Sequence, residues 1–220
     1  MAGAVRREPL NRGRVLATAV QLADAIGIEA LSMRRLAQEL GVVPMALYKH
    51  VANKDQLLDG MVDAVLAEID PVGDGPWREV VRARVLSARA ALLRHRWAAR
   101  VIETRPVPTA AVLAYLDSMA GAFRSGGLSV QLTHHVMHAM GSRLLGFSQE
   151  LFEASGAGAP APEFAAAFPR LAELASGGHD EASVVGGGCD DRFEFEFALD
   201  LLLDGFARLH GAGWAPPAGG

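Results

Sequence analysis

Between Leu31 and Asp59 the chain reads LSMRRLAQELGVVPMALYKHVANKDQLLD, a stretch compatible with few arrangements. Met33, Leu36, Ala37 and Leu40 stand at i, i+3, i+4 and i+7, the spacing of one helix face. Ser32 is placed to cap that helix, and Gly41 permits the left-handed backbone that ends it. Pro44 suits the first turn of a second helix, where its missing N–H is no loss. Leu47 and Tyr48 continue that helix, and Asn53 with Gln56 forms a capping pair for a third. Helix, glycine turn and short helix make a helix-turn-helix, whose second helix enters the DNA major groove.

The polar residues of the stretch fit that expectation. Ser32, Arg34, Arg35, Met45, Ala46, Tyr48, Lys49, His50 and Lys54 are the candidate DNA-binding residues. Lys49 and Lys54 are the only lysines of the chain, and both lie here. An ammonium near a helix N-terminus is unfavourable to that helix, so Lys54 is expected beside a phosphate. Arg34 can read guanine with a bidentate pair, while pairing with Glu29 or Glu39 is its structural alternative. Val43 and Pro44 supply no hydrogen-bonding side chain, which shifts the expected readout toward Met45 or Ala46 against a thymine methyl.

Charge is distributed in keeping with contact at one end. The net charge is −4 over 220 residues, which argues against indiscriminate coating of nucleic acid. Residues 1–60 carry eight Lys/Arg against six Asp/Glu, leaving thirteen of the 21 and nineteen of the 25 for the rest. A basic head on an acidic body suits a protein that touches DNA at one end. Cys189 is the sole cysteine, so no intrachain disulfide forms and a reducing compartment is expected. The opening MAGAVRREPLNRGR has no apolar core after its charges, and no run of about eighteen apolar residues follows anywhere. A cytoplasmic protein without a membrane span is expected.

Helical periodicity runs through the chain, and no strand-length alternation of β-branched residues interrupts it; the expected fold is all-α. Residues 1–10 read as a loose arm. Residues 11–70 read as a three-helix DNA-binding domain extended by a linker helix from Asn53 to about Ile69. The Pro/Gly segment 70–76 is the expected boundary. Residues 77–209 read as a larger helical domain, with a helix from Trp77 to about Trp97, one from Thr109 to Ser125, and a long one capped by Ser129 and reaching about Glu153. Ser176–Cys189 is Gly-rich, Asp191–Leu209 is the last helix, and 210–220 is an expected disordered tail.

The N-terminal block resembles the tetracycline-repressor (TetR) family of bacterial regulators. The resemblance rests on Gly27-Ile28-Glu29-Ala30-Leu31-Ser32-Met33-Arg34-Arg35-Leu36-Ala37, Leu40-Gly41-Val42, Ala46 to Val51 and Asn53-Lys54-Asp55. The body is similar to the effector-binding domain of the same family: Trp77, Leu92-Leu93, His95-Arg96, Thr104-Arg105-Pro106, Gly127 and Ser129 recur in its order. The resemblance implies a homodimer whose last two long helices pair with their mates in a four-helix bundle. It implies a repressor of a double-stranded DNA operator, released by a small-molecule effector. In tetracycline-binding members a histidine stands three residues before Thr-Arg-Pro and holds a drug-bound magnesium; here that residue is Val101. Asp70 and Met119 also replace polar drug contacts, although Glu150 matches a carboxylate. Without the imidazole donor, a tetracycline–magnesium effector is not expected.

Trp97, Val101, Met119, Phe123, His134, Met137 and His138 are the candidate ligand-binding residues, with Met140, Phe147 and Phe152 as further apolar lining. Methionine-rich walls suit an adaptable, largely apolar pocket. His134, His135 and His138 could be read as a metal site, but no Glu follows His134 as the zinc-protease motif requires. They line either a pocket or the dimer seam. Asp190, Asp191, Glu194 and Glu196 suit a helix N-terminus. No Gly-x-Ser-x-Gly, phosphate-cradling loop or ordered nucleophile–base set is present, so no enzyme, cofactor or metal is expected. An effector-independent DNA binder, or an enzyme using the His134/His138 region, is the alternative.

Overall fold

The structure, a computed structural model, describes residues 9–145, 162–170, 173 and 191–216. Every regular element among them is helical: α1 Arg12–Ile26, α2 Met33–Leu40, α3 Pro44–Leu47, α4 Lys54–Leu66 and α5 Trp77–Arg94. They continue as α6 Trp97–Thr104, α7 Ala110–Ser125, α8 Val130–Leu145, α9 Pro162–Ala167 and α10 Asp191–Gly211. Glu150, Phe147, Phe152, Asp190 and Cys189 lie outside the described residues, as do the arm through residue 8 and the segment 176–189.

Capping chemistry sets the element ends. Asn11 accepts from the Arg14 N–H at 2.8 Å, Thr109 from the Val112 N–H at 3.3 Å, and Ser129 from the Leu132 N–H at 3.1 Å. At Gly41 the backbone turns left-handed (φ 66°, ψ 36°). The Gly41 N–H then reaches the Gln38 carbonyl and the Val42 N–H the Ala37 carbonyl, a Schellman closure. The linker helix ends at Leu66 rather than Ile69, because Glu68 and Ile69 donate three residues back and tighten the last turn. The helix expected from Trp77 to Trp97 breaks at His95 (φ −120°, ψ 67°), and Trp97 opens α6.

The chain divides into two compact units, residues 1–138 with 215–220, and residues 139–214. In the first, α1 packs on α2 and α4, and α2 on α3. The Pro/Gly segment separates α4 from α5 in sequence, yet α4 packs against α5, α6 and α7. Val15, Ala19, Leu36, Leu47, Leu57, Met61 and Val65 form the core of the N-terminal helices; Val81, Val85, Ala98, Met119 and Phe123 continue it. The rings of Trp77 and Phe123 meet at a tilt of 46°, their centres 5.6 Å apart, across α5 and α7. In the second unit α10 buries Phe195, Leu199, Leu203 and Phe206. Its opposite face leaves Phe193, Phe197 and Leu201 exposed. Arg143 of α8 covers the Phe195 ring at 4.7 Å and donates to the Glu194 carbonyl at 3.1 Å.

Gly126, at the end of α7, is the tightest approach in the first unit. A Cβ there would stand 2.3 Å from Cδ1 of Trp77. Gly126→Ala is expected to displace the indole from Phe123 and cost about 1–3 kcal/mol by overpacking, read as a lower urea midpoint.

Candidate DNA-binding head and its joint to the effector domain

The recognition helix is four residues long and begins at Pro44, preceded by Val43 in extended conformation. Leu47 is fully buried beneath it, anchoring the helix on α2. Its outer side carries apolar side chains in water: Val43 is 68% exposed, Met45 73% and Tyr48 47%. Ala46 and His50 are half-buried; Ser32, Arg34, Arg35, Lys49 and Lys54 are exposed. Ser32 accepts from the Arg35 N–H at 3.2 Å, which leaves the hydroxyl hydrogen free to donate outward. Lys54 is the first residue of α4, capped by Asn53, whose Oδ1 accepts from the Gln56 N–H at 2.8 Å. The Gln56 side chain returns to the Ala52 N–H at 2.6 Å rather than to the cap residue itself. Glu29, one alternative partner of Arg34, is taken by Arg100 at 2.8 Å. Among the described residues, no ion pair engages Arg34, Lys49 or Lys54.

Three polar contacts fasten the head to α6 and its flanks. The first is Glu29–Arg100, exposed on both sides. In the second, His95 is buried with Nδ1 at 3.0 Å from both Asp24 oxygens and Nε2 at 3.0 Å from Glu68. Carboxylates only accept, so both contacts are hydrogen bonds when the ring is an imidazolium. Trp97 donates its indole N–H to Asp24 at 2.7 Å, and Arg94 donates to Glu68 at 2.7 and 3.1 Å. In the third, Arg105 of the Thr-Arg-Pro segment reaches Asp55 and Asp59 of α4, each at 2.8 Å. These carboxylates raise the Arg105 guanidinium further above its ordinary range against the opposing effect of burial.

The candidate ligand residues fall into separate places. Met119 and Phe123 share one face of α7, and Val101 is buried on α6. Met137 is half-buried on α8; His134 and His138 are exposed there with rings 4.7 Å apart. Trp97 is turned to Asp24, and Phe123 is packed on Trp77. No group of three or more ligating side chains among the described residues could hold a metal. No helix among them is long and apolar enough to cross a membrane. Asp24, Glu68 and Arg105 carry the joint, yet none stands out in sequence except Arg105, through the Thr-Arg-Pro pattern.

A short recognition helix exposed over a capped α4, joined to a helical body, defines a helix-turn-helix regulator. Residues 15–61 match the family model for bacterial regulatory proteins of the tetR family, and residues 71–209 that for the tetracyclin repressor-like C-terminal domain. The HTH-type transcriptional repressor DrrR1 of Streptomyces coeruleorubidus is 33% identical over 91% of this chain and 78% of its own length. The TetR family protein ActR of Streptomyces coelicolor, solved with (S)-DNPA, superposes with a TM-score of 0.67 at 31% identity, covering 92% of this chain and all of that one. BioQ with its double-stranded DNA operator gives 0.63 at 27% identity, over 91% of this chain and 99% of that one. The chain belongs to the tetR family of bacterial regulatory proteins. It is a DNA-binding transcriptional regulator of that family.

Glu68 makes the joint sensitive to acid. Burial acts to raise its carboxyl, but the hydrogen bonds from Arg94 and His95 outweigh this and hold it below 4.5. A depressed folded-state pKa contributes stability above the unfolded value and loses it as pH falls through the folded one. The stability difference between parent and Glu68→Gln is therefore expected in full at neutral pH and to shrink below pH 4.5, followed by denaturant titration at each pH.

Proposed function

We propose that the chain is a cytoplasmic repressor acting as a homodimer, with residues 11–70 on operator DNA and 77–209 binding a small, largely apolar effector other than tetracycline–magnesium. The observation that carries the DNA reading is the exposure of Val43 and Met45 at the start of the recognition helix, beside Arg34 and Lys54, which no ion pair engages among the described residues. Apolar side chains held in water at that place suit thymine methyls in the major groove. The exposed stripe Phe193, Phe197 and Leu201, at four-residue spacing on α10, supports pairing with a second copy. Such a dimer would set its recognition helices about 34–36 Å apart, one turn of DNA. Val101 in place of a metal-binding imidazole supports an effector taken without magnesium.

The joint supports a mechanism of release. An effector lodged beside Val101 and Met119 would shift α6, which holds the head through Arg100, Arg105 and the His95 cluster. Only a ligand that binds the non-DNA arrangement more tightly moves this equilibrium; coupling of about 1–3 kcal/mol loosens DNA 5- to 150-fold.

Lys54→Ala is expected to weaken operator and random DNA alike and to lower the salt slope by roughly one unit. An unchanged slope in fluorescence-anisotropy titrations removes Lys54 from the interface. Arg34→Ala is expected to cost about 1–3 kcal/mol at one base position and relax preference there. Binding selection from a random library checks it: retention of the full preference returns Arg34 to a surface role. Val101→Trp puts an indole in place of a small side chain on α6 and is expected either to mimic or to block the effector while the head stays folded. If this variant binds and releases operator as the parent does, the ligand lies elsewhere.

A further inference from the structure

We propose that Arg84 of α5 and Tyr115 of α7 bind a carboxylate carried by an otherwise apolar effector. The inference rests on residues 77–209 being the effector-binding body. Contacts along α5 and α7 are antiparallel, with Trp77 against Phe123 and, two turns on, Arg84 against Tyr115 and Ser118. Arg84 is half-buried, on the flank of the stripe formed by Val81, Val85 and Ala88. Its Nη1 donates to the Asp70 carbonyl and its Nη2 to Ser118 Oγ at 3.2 Å. The guanidinium carbon stands 5.1 Å from the centre of the Tyr115 ring. Among the described residues, Nε of Arg84 and the Tyr115 hydroxyl are both buried without a hydrogen-bond partner.

The charge balance is what singles out this pair. Arg105, also drawn out of water, is met by two carboxylates. Arg84 has none among the described residues: its partners are two neutral oxygens and a ring face, and the Asp70 carboxylate instead accepts from Ser87 at 2.7 Å. A cation withdrawn from solvent without a counter-charge is costly, as is a buried donor without an acceptor. A ligand carboxylate removes both deficits, since the guanidinium fork and the phenol all donate. Burial pushes the Tyr115 phenol up to about 12, with the Arg84 charge opposing, so the hydroxyl keeps its proton at neutral pH. Met119 lies one turn from Tyr115 on the same face of α7 and provides an apolar wall for the rest of the ligand.

Calorimetry on the 220-residue protein with matched probes tests this, using benzoate against benzamide and 2-naphthoate against 2-naphthamide. At least one acid is expected to bind about tenfold or more tightly than its amide. Arg84→Gln is expected to abolish that preference. Tyr115→Phe, which keeps the ring and so the packing, is expected to weaken the acid several-fold and leave the amide unchanged, even if Arg84→Gln fails to fold. The proposal is overturned if no acid binds better than its amide, or if Tyr115→Phe binds both members as the parent does. Release of operator by the bound acid is measured separately. Acid binding that depends on Tyr115 but leaves operator affinity unchanged supports the site and sinks the effector reading instead.

Discussion

The head is held to the rest of its unit by a buried histidine placed between two carboxylates. His95 reaches Asp24 of α1 through one nitrogen and Glu68, just past α4, through the other. Three segments thereby converge on one ring, and Trp97 and Arg94 supply the remaining donors. Removing either carboxylate leaves the buried His95 ring with one nitrogen unsatisfied, which costs more than losing an exposed pair of the same kind. The cluster therefore favours one angle between the three segments. An element with a strongly preferred arrangement, tied to the helix proposed above to shift with the effector, is what coupling between distant sites requires.

The second consequence lies in how the ties are divided. Glu29–Arg100 is exposed at both ends, so screening by water and salt leaves it weak. Arg105, largely buried, holds two carboxylates one turn apart at the start of α4, next to Lys54. A shift of the Thr-Arg-Pro segment therefore acts on the helix end that is proposed to hold phosphate. Position and charge change together there, so the coupling is electrostatic as well as steric.

Sequence disclosed whatever depends on neighbours along the chain. The Gly41 closure, Pro44 opening α3, and the Ser32, Asn53 and Ser129 caps are all readable, because each needs only three to five residues. What sequence concealed depends on residues brought together by folding. His95 and Asp24 are 71 positions apart, and His95 and Glu68 are 27 apart. Each alone looks like a surface polar residue. Trp97 illustrates the same limit: resemblance and helical facing place it among the ligand residues, while its indole N–H is committed to Asp24. Arg84 was likewise one of many arginines on α5 until Tyr115 and Ser118 were placed against it.

The scarcity of lysine has a consequence for chemistry performed on this protein. Its only two ε-amines, Lys49 and Lys54, are exposed on the helix-turn-helix and the start of α4. Among side chains, an acetyl donor, an amine-reactive dye or an activated surface therefore has no other lysine to attack. Each acylation there removes a positive charge from the head and leaves the acidic body untouched. Arginine elsewhere keeps the fold's own ion pairs out of reach of the same reagents. Lysine acylation of this chain is thus a modification of the proposed DNA face alone, and coupling through lysine would turn that face toward the support.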